Sequence, residues 1–175
     1  MKTKSITTIA LLFSLIILSA FVSIPTPAGV PIVLQNLMIF IAVGYLGGEK
    51  GGILMVLFFV SAALGFPVLS GGRGGLALLI GPTGGYLLGY FLTPLTIGWP
   101  LEKVENRFWK IYLVLLLGGA VAINATGSLY LSYLNQMGIK ETIGMFFAFL
   151  PLDAAKCIFG AVILKKIKEA ERKKQ

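Results

Sequence analysis

The sequence predicts an all-α integral membrane protein with six transmembrane helices and both termini cytoplasmic. Three observations carry that expectation. Hydrophobic residues make up 57% of the 175 positions, against roughly 45–50% in a soluble domain. Charged residues make up 13%, about half the usual ~25%, too few to cover a soluble surface of this size. The apolar residues also fall in runs of spanning length, broken by Pro, Gly and charge, where a helix needs ~20 residues to cross the ~30 Å of hydrocarbon. Length points to one domain over residues 1–175, and no internal repeat or low-complexity stretch divides it.

The six segments are 6–24, 32–46, 52–64, 83–99, 111–131 and 145–164. The first begins after Lys2 and Lys4 and resembles a secretory leader, but Ser19–Ala20–Phe21–Val22–Ser23 offers a poor small-x-small cleavage site, so it is read as a mature helix. The second and third are short, which suits helices that tilt or stop inside the membrane where protein shields their ends. An even number of spans puts both ends on one side. With that side cytoplasmic, the inward segments hold twelve of the fifteen Lys and Arg: Lys2, Lys4, Lys50, Lys103, Arg107, Lys110 and six in the tail from Lys165 to Lys174. Arg73 and Lys140 fall outside, and Lys156 lies within the last span. That asymmetry obeys the positive-inside rule, and a miscounted helix would destroy it.

The net charge of +8 therefore belongs to headgroup contact rather than nucleic acid, because the charges flank apolar runs. Cys157 is the sole cysteine and histidine is absent, which removes disulfides, imidazole catalysis and most zinc sites. The P-loop pattern Gly-x-x-x-x-Gly-Lys-Ser/Thr is missing, so any nucleotide-driven step needs another subunit. No cofactor is implied. An enzyme built on one carboxylate and one amine lacks a second acid or a nucleophile–base pair.

Two stretches carry polar chemistry. In the last span, Pro151–Leu152–Asp153–Ala154–Ala155–Lys156 places Asp153 and Lys156 at i and i+3 on one helix face. With Pro151 expected in the first turn, the pair would lie about one turn below the outer surface. At mid-membrane each charge costs about 2.5–3.5 kcal/mol on insertion scales. The pair either locks helix packing as a self-neutralising couple or forms the wall of an outward-facing pocket for a ligand with both donors and acceptors. The second stretch, Gly71–Gly72–Arg73–Gly74–Gly75, lets the backbone take φ > 0 and approach a ligand closely. Its arginine suits a ligand carboxylate, or else is one solubilising charge on a flexible loop.

Around these, Gly81, Gly85 and Gly89 recur every four residues and favour close helix packing. Tyr86 is either an interface anchor or an aromatic wall. Gln35 and Asn36 follow the Pro-rich turn 25–31 as pocket candidates or backbone partners, and Asn124 reads as an interhelical hydrogen-bond donor.

Taken together, Val30–Pro31–Ile32–Val33–Leu34–Gln35, Leu64–Gly65–Phe66–Pro67–Val68, Gly71–Gly75, Gly81–Pro82–Thr83–Gly84–Gly85–Tyr86–Leu87–Leu88–Gly89 and Leu150–Pro151–Leu152–Asp153–Ala154–Ala155–Lys156 resemble the BioY family. These stretches run in family order over about residues 25–160, and the Gly-Pro-Thr-Gly-Gly-Tyr and Pro-x-Asp-x-x-Lys motifs are the specific ones. The resemblance implies the biotin-binding S component of an energy-coupling factor (ECF) vitamin transporter. Such a subunit captures biotin from outside and delivers it inward with a transmembrane coupling protein and two ATP-binding cassette ATPases, in the cell membrane. It implies no ATPase site or enzyme activity in this chain. Family members dock through an Ala-x-x-x-Ala pattern on the first helix; here Ala10 and Ser14 take those places, with serine as a departure. Leu152 stands where a glycine often precedes the aspartate. For biotin, Asp153 would accept from the ureido N–H groups and Lys156 would donate to the ureido carbonyl. Arg73 and the loop amides at Gly72 and Gly74 would hold the carboxylate, and Tyr86, Phe66 and Gln35 would complete the pocket.

Overall fold

The computed structural model describes residues 3–26 and 30–173; Lys2 and Lys174 of the basic ends, and the centre of the Pro-rich turn, lie outside them. In chain order the elements are α1 (Thr3–Ala20), β1 (Ser23–Ile24), β2 (Ile32–Val33), α2 (Gln35–Ala63), α3 (Leu76–Ile80), α4 (Gly84–Thr93), α5 (Trp99–Lys103), α6 (Phe108–Val114), α7 (Ala122–Asn135) and α8 (Ile139–Arg172). A π-helical stretch, Pro94–Gly98, joins α4 to α5, and another, Leu115–Val121, joins α6 to α7. Among the described residues, Thr3–Ala20, Gln35–Ala63, Phe108–Asn135 and Ile139–Arg172 are long and apolar enough to cross a membrane. The run 84–103 is helical throughout and about 30 Å long, but it is richer in Gly, Thr and Pro.

The segment Gln35–Ala63 is not straight. Gly47 sits at φ 80° and ψ −173°, a conformation that essentially only glycine adopts. Beyond it, a Cβ on Gly51 would lie 3.5 Å from the Cα of Val43, whereas eight residues of continuous helix would separate them by about 12 Å. The chain therefore doubles back, and arms 35–46 and 48–63 pack antiparallel. The Gly48 N–H at the start of the second arm donates to Glu102 Oε1 at 2.8 Å. The arms are about 18 and 24 Å long, short of the hydrocarbon thickness, in the places where segments 32–46 and 52–64 read short.

Polarity is distributed inside out. Leu11, Leu18, Leu117, Leu129, Phe147 and Phe159 are exposed, while Gln35, Asn36, Asn124, Ser128 and Asp153 are buried. A soluble protein does the reverse; here the apolar exterior matches lipid.

Three sequence expectations need correction. First, α8 begins at Ile139, with the Glu141 carboxylate accepting the Gly138 N–H at 2.8 Å. Pro151 is thus inside the helix, and Asp153 lies about 21 Å along it rather than one turn from its start. A helix of 34 residues is about 51 Å long, so it outruns the hydrocarbon at its ends. Second, the fold is not purely helical: β1 and β2 pair antiparallel, Ser23 opposite Val33 and Ile24 opposite Ile32. Third, the glycine stripe divides. Gly85 and Gly89 do pack on α7, where Cβ atoms would meet Tyr130, Thr126 and Ile123, but Gly81 ends α3 and faces Ala77.

Candidate functional site

Asp153 and Lys156, one helical turn apart on α8, meet at 2.9 Å with side chains only 10% and 16% exposed. The pair is not alone. Asn36, in the first turn of α2, donates from Nδ2 to Asp153 Oδ1 at 2.6 Å. Asn124, in the first turn of α7, donates from Nδ2 to Asp153 Oδ2 at 2.8 Å. The Lys156 ammonium donates to the Val33 carbonyl at 2.8 Å, Asn36 Oδ1 at 3.0 Å and Asp153 Oδ1 at 2.9 Å. An ammonium has three protons, and here all three have protein partners. Strand β2 and helices α2, α7 and α8 are thereby tied to one ionic centre. Both readings of the pair from sequence meet in this arrangement, because it joins helices and also lines a cavity.

That cavity is partly enclosed, with about 710 Å³ free of protein atoms when the solvent at its open side is counted. Asn36, Asn124, Asp153 and Lys156 give it a polar end, Tyr86, Tyr90, Leu87, Ile123 and Phe149 give apolar walls, and Val30, Pro31, Leu69, Ser70 and Arg73 close it from the loops. Tyr86 is buried, with its ring edge-on to Phe149 at 6.0 Å, so it is a wall rather than an interface anchor. Gly127 makes room for that ring: any Cβ there would run into it.

Several polar atoms of this lining are buried without a partner among the described residues: Ser70 Oγ, Tyr86 Oη and Asn124 Oδ1. Buried polar groups are almost always hydrogen-bonded, so these mark where a bound solute would complete the set.

The glycine loop forms a tight turn. Leu69 and Arg73 bridge through the Leu69 N–H and the Arg73 carbonyl at 2.8 Å, and Gly71 and Gly72 have φ of 73° and 70°. The turn presents Arg73, whose Nε donates to the Ser70 carbonyl at 3.0 Å. Exposed as it is, Arg73 makes no ion pair with any described carboxylate.

Of the residues singled out from sequence, Asp153, Lys156, Arg73, Tyr86 and Gln35 line the cavity, and Phe66, Gly72 and Gly74 do not. Phe66 is 57% exposed. Gly72 lies against the Phe21 ring, and Gly74 packs on the backbone of Gly65 and Phe66, too close for a side chain; the two glycines shape the turn. Gln35 is buried, but its amide donates to the carbonyls of Val68 at 2.7 Å and Ile16 at 3.5 Å. Ala10 and Ser14 are exposed on α1. Asn124 donates between helices, from α7 to α8, as its place in an apolar run suggests, and Asn36 lines the cavity. What the sequence does not supply is that both amides share one partner, Asp153.

The fold and this site define a class: helical membrane proteins with a polar, partly enclosed cavity between their helices. The BioY family model matches residues 1–173. A biotin transporter BioY of Lactococcus lactis is 34% identical over 96% of this chain and 92% of its own length. One from Thermotoga maritima is 33% identical over 90% and 92%. Among solved structures, the S-component for biotin from an ECF-type ABC transporter superposes with a TM-score of 0.90 at 33% identity, covering 96% of this chain and 92% of that one. The chain belongs to the BioY family.

Proposed function

We propose that this chain is the biotin-binding S component of an ECF-type transporter, a transporter subunit and not an enzyme. One observation carries the reading: a cavity whose buried ionic centre and unpartnered polar atoms match a ligand with a polar ring, an apolar body and a carboxylate. The relatives' biotin specificity supplies the ligand. The ureido ring lies over the Asp153–Lys156 centre. There Asp153 Oδ2, which has one protein donor, keeps a lone pair for a ring N–H. The ammonium would exchange one of its protein acceptors for the ring carbonyl. Tyr86 flanks the apolar body, and Arg73 takes the carboxylate, with Gly72 and Gly74 serving through the turn that carries it.

The whole chain acts as one transmembrane domain of six spans in the cell membrane, with both ends cytoplasmic, the cavity facing outward and no cofactor of its own. The two arms that meet at Gly47 and the basic inward segments support this topology. Delivery inward uses a transmembrane coupling protein and two ATP-binding cassette ATPases, with the exposed Ala10 and Ser14 face of α1 as the docking surface. The test is equilibrium binding of radiolabelled biotin to the purified full chain in lipid nanodiscs. Saturable binding that unlabelled biotin competes and other vitamins do not, and that Asp153→Asn and Lys156→Ala each weaken, is expected. Wild-type affinity in both variants would remove the ionic centre from recognition, and no saturable binding would remove biotin.

A further inference from the structure

Asn124 is 1% exposed, lines the cavity, and has both amide protons spent inside the protein. One goes to the Ala120 carbonyl at 2.9 Å and the other to Asp153 Oδ2 at 2.8 Å. Both partners are acceptors, and that fixes the amide: turned over, its oxygen would face a carbonyl and a carboxylate. Asn124 Oδ1 is consequently held away from both, buried and without a donor among the described residues. We propose that Asn124 Oδ1 is a second acceptor beside Asp153 Oδ2, reading the other ring N–H of the bound ligand, and that its bond to Asp153 aims it. The inference rests on the biotin reading above and deepens it, because it adds the protein atom that recognises the ureido group's second donor.

The donors converge on Asp153. Lys156 and Asn36 donate to its Oδ1 and Asn124 donates to its Oδ2. With both of its protons spent, the Asn124 amide has only its acceptor oxygen left to offer. The cavity therefore favours cyclic ureas and other ring amides that bring an N–H, and it discriminates against isosteres that bring a lone pair or a methyl group. Rejection by a buried polar group left unpaired is the stronger form of selectivity. Asn124 lies three residues after the π-helical stretch Leu115–Val121, and such wide turns are frequent at functional sites.

The test compares biotin with a derivative methylated on its ureido nitrogens, by competition against radiolabelled biotin on the purified full chain. Asn124→Leu keeps the side-chain volume and removes the acceptor, so the bulk of the methyl groups counts equally in both proteins. Asn124→Thr is the second variant; its hydroxyl can bond back to Ala120 within the helix. The preference for biotin over the methylated derivative should fall about fivefold or more in each variant, as an unsatisfied buried group implies. Equal losses for both ligands, with the preference kept, would mean that Asn124 only packs, and the assignment would fall. A wild-type chain that does not bind biotin sinks the functional reading and this one together. Wild-type binding with an unaltered preference in the variants sinks this one alone. A third measurement needs no variant: in wild-type protein loaded with 15N-ureido biotin, a solid-state NMR correlation to Asn124 Cγ is expected, and its absence overturns the assignment.

Discussion

Replacing Lys156 by methionine keeps the length of the side chain and removes the ammonium. The structure gives the consequence a size. Asp153 would retain donors from Asn36 and Asn124, both neutral, and would stand in a protein interior with no positive partner. Breaking one side of a buried ion pair costs about 3–5 kcal/mol, and at ~2–4 °C per kcal/mol for a chain of this size the melting temperature should fall by roughly 6–20 °C. The loss of the ammonium's bond to Val33 frees strand β2 as well. Adding Asp153→Asn removes the uncompensated charge, so the double variant should melt above Lys156→Met alone while still binding biotin poorly. The assay is thermal unfolding of purified protein without ligand, followed by tryptophan fluorescence, alongside radiolabelled biotin binding. If Lys156→Met melts with wild type, or if the double variant is the less stable of the two, an uncompensated carboxylate is not what the lysine prevents.

Other perturbations separate recognition from folding. Tyr86→Phe deletes a buried hydroxyl that has no protein partner, so unliganded stability should hold or rise while biotin affinity drops about 2- to 13-fold; unchanged affinity would exclude the hydroxyl from ligand contact. Arg73→Gln should leave unfolding untouched, because the side chain is exposed and, among the described residues, bonded only to Ser70. It should also cut the preference for biotin over its neutral amide about tenfold or more, and a preserved preference would place the carboxylate elsewhere. Gly47→Ala would force a side chain into a glycine-only conformation and into the Glu102 carboxylate. It should destabilise by about 1–3 kcal/mol or more, and a melting temperature equal to wild type would contradict the reversal at that residue.

The chain's own order shows which parts of this were legible. Apolar run lengths and the placement of basic residues are local quantities, and they located the helical segments to within a few residues at most ends. The exception was α8. Spacing suggests a first-turn proline at Pro151, yet a proline inside a membrane helix is tolerated when neighbouring helices meet the freed backbone groups. The helix starts twelve residues before Pro151, at Ile139, where the Glu141 carboxylate caps Gly138. Spacing also put Asp153 and Lys156 on one face. It could not say what faced them, since Asn36 is 117 residues from Asp153 and Asn124 is 29 away. Phe66 failed for the same reason: an aromatic beside a glycine loop can turn inward or outward, and only packing decides.

Gln35 shows how a residue picked out for the ligand can serve the site by another route. Its amide fastens the Val68 carbonyl of the loop and reaches the Ile16 carbonyl of α1, while the Gly71 N–H donates to the Ala20 carbonyl at 2.9 Å and Gly72 lies under Phe21. The turn that presents Ser70 and Arg73 is thus bonded to the end of α1, and Gln35 adjoins Asn36 of the ionic centre. Gln35 itself belongs to α2, so a shift of either α1 or the loop against α2 breaks a buried bond of its amide. Each break would orphan a backbone carbonyl in a low-dielectric interior, at about 1–3 kcal/mol. The loop that covers the cavity is therefore held to α1 through Gly71 and to α2 through Gln35, and the exposed Ala10 and Ser14 lie on the α1 so tied to it.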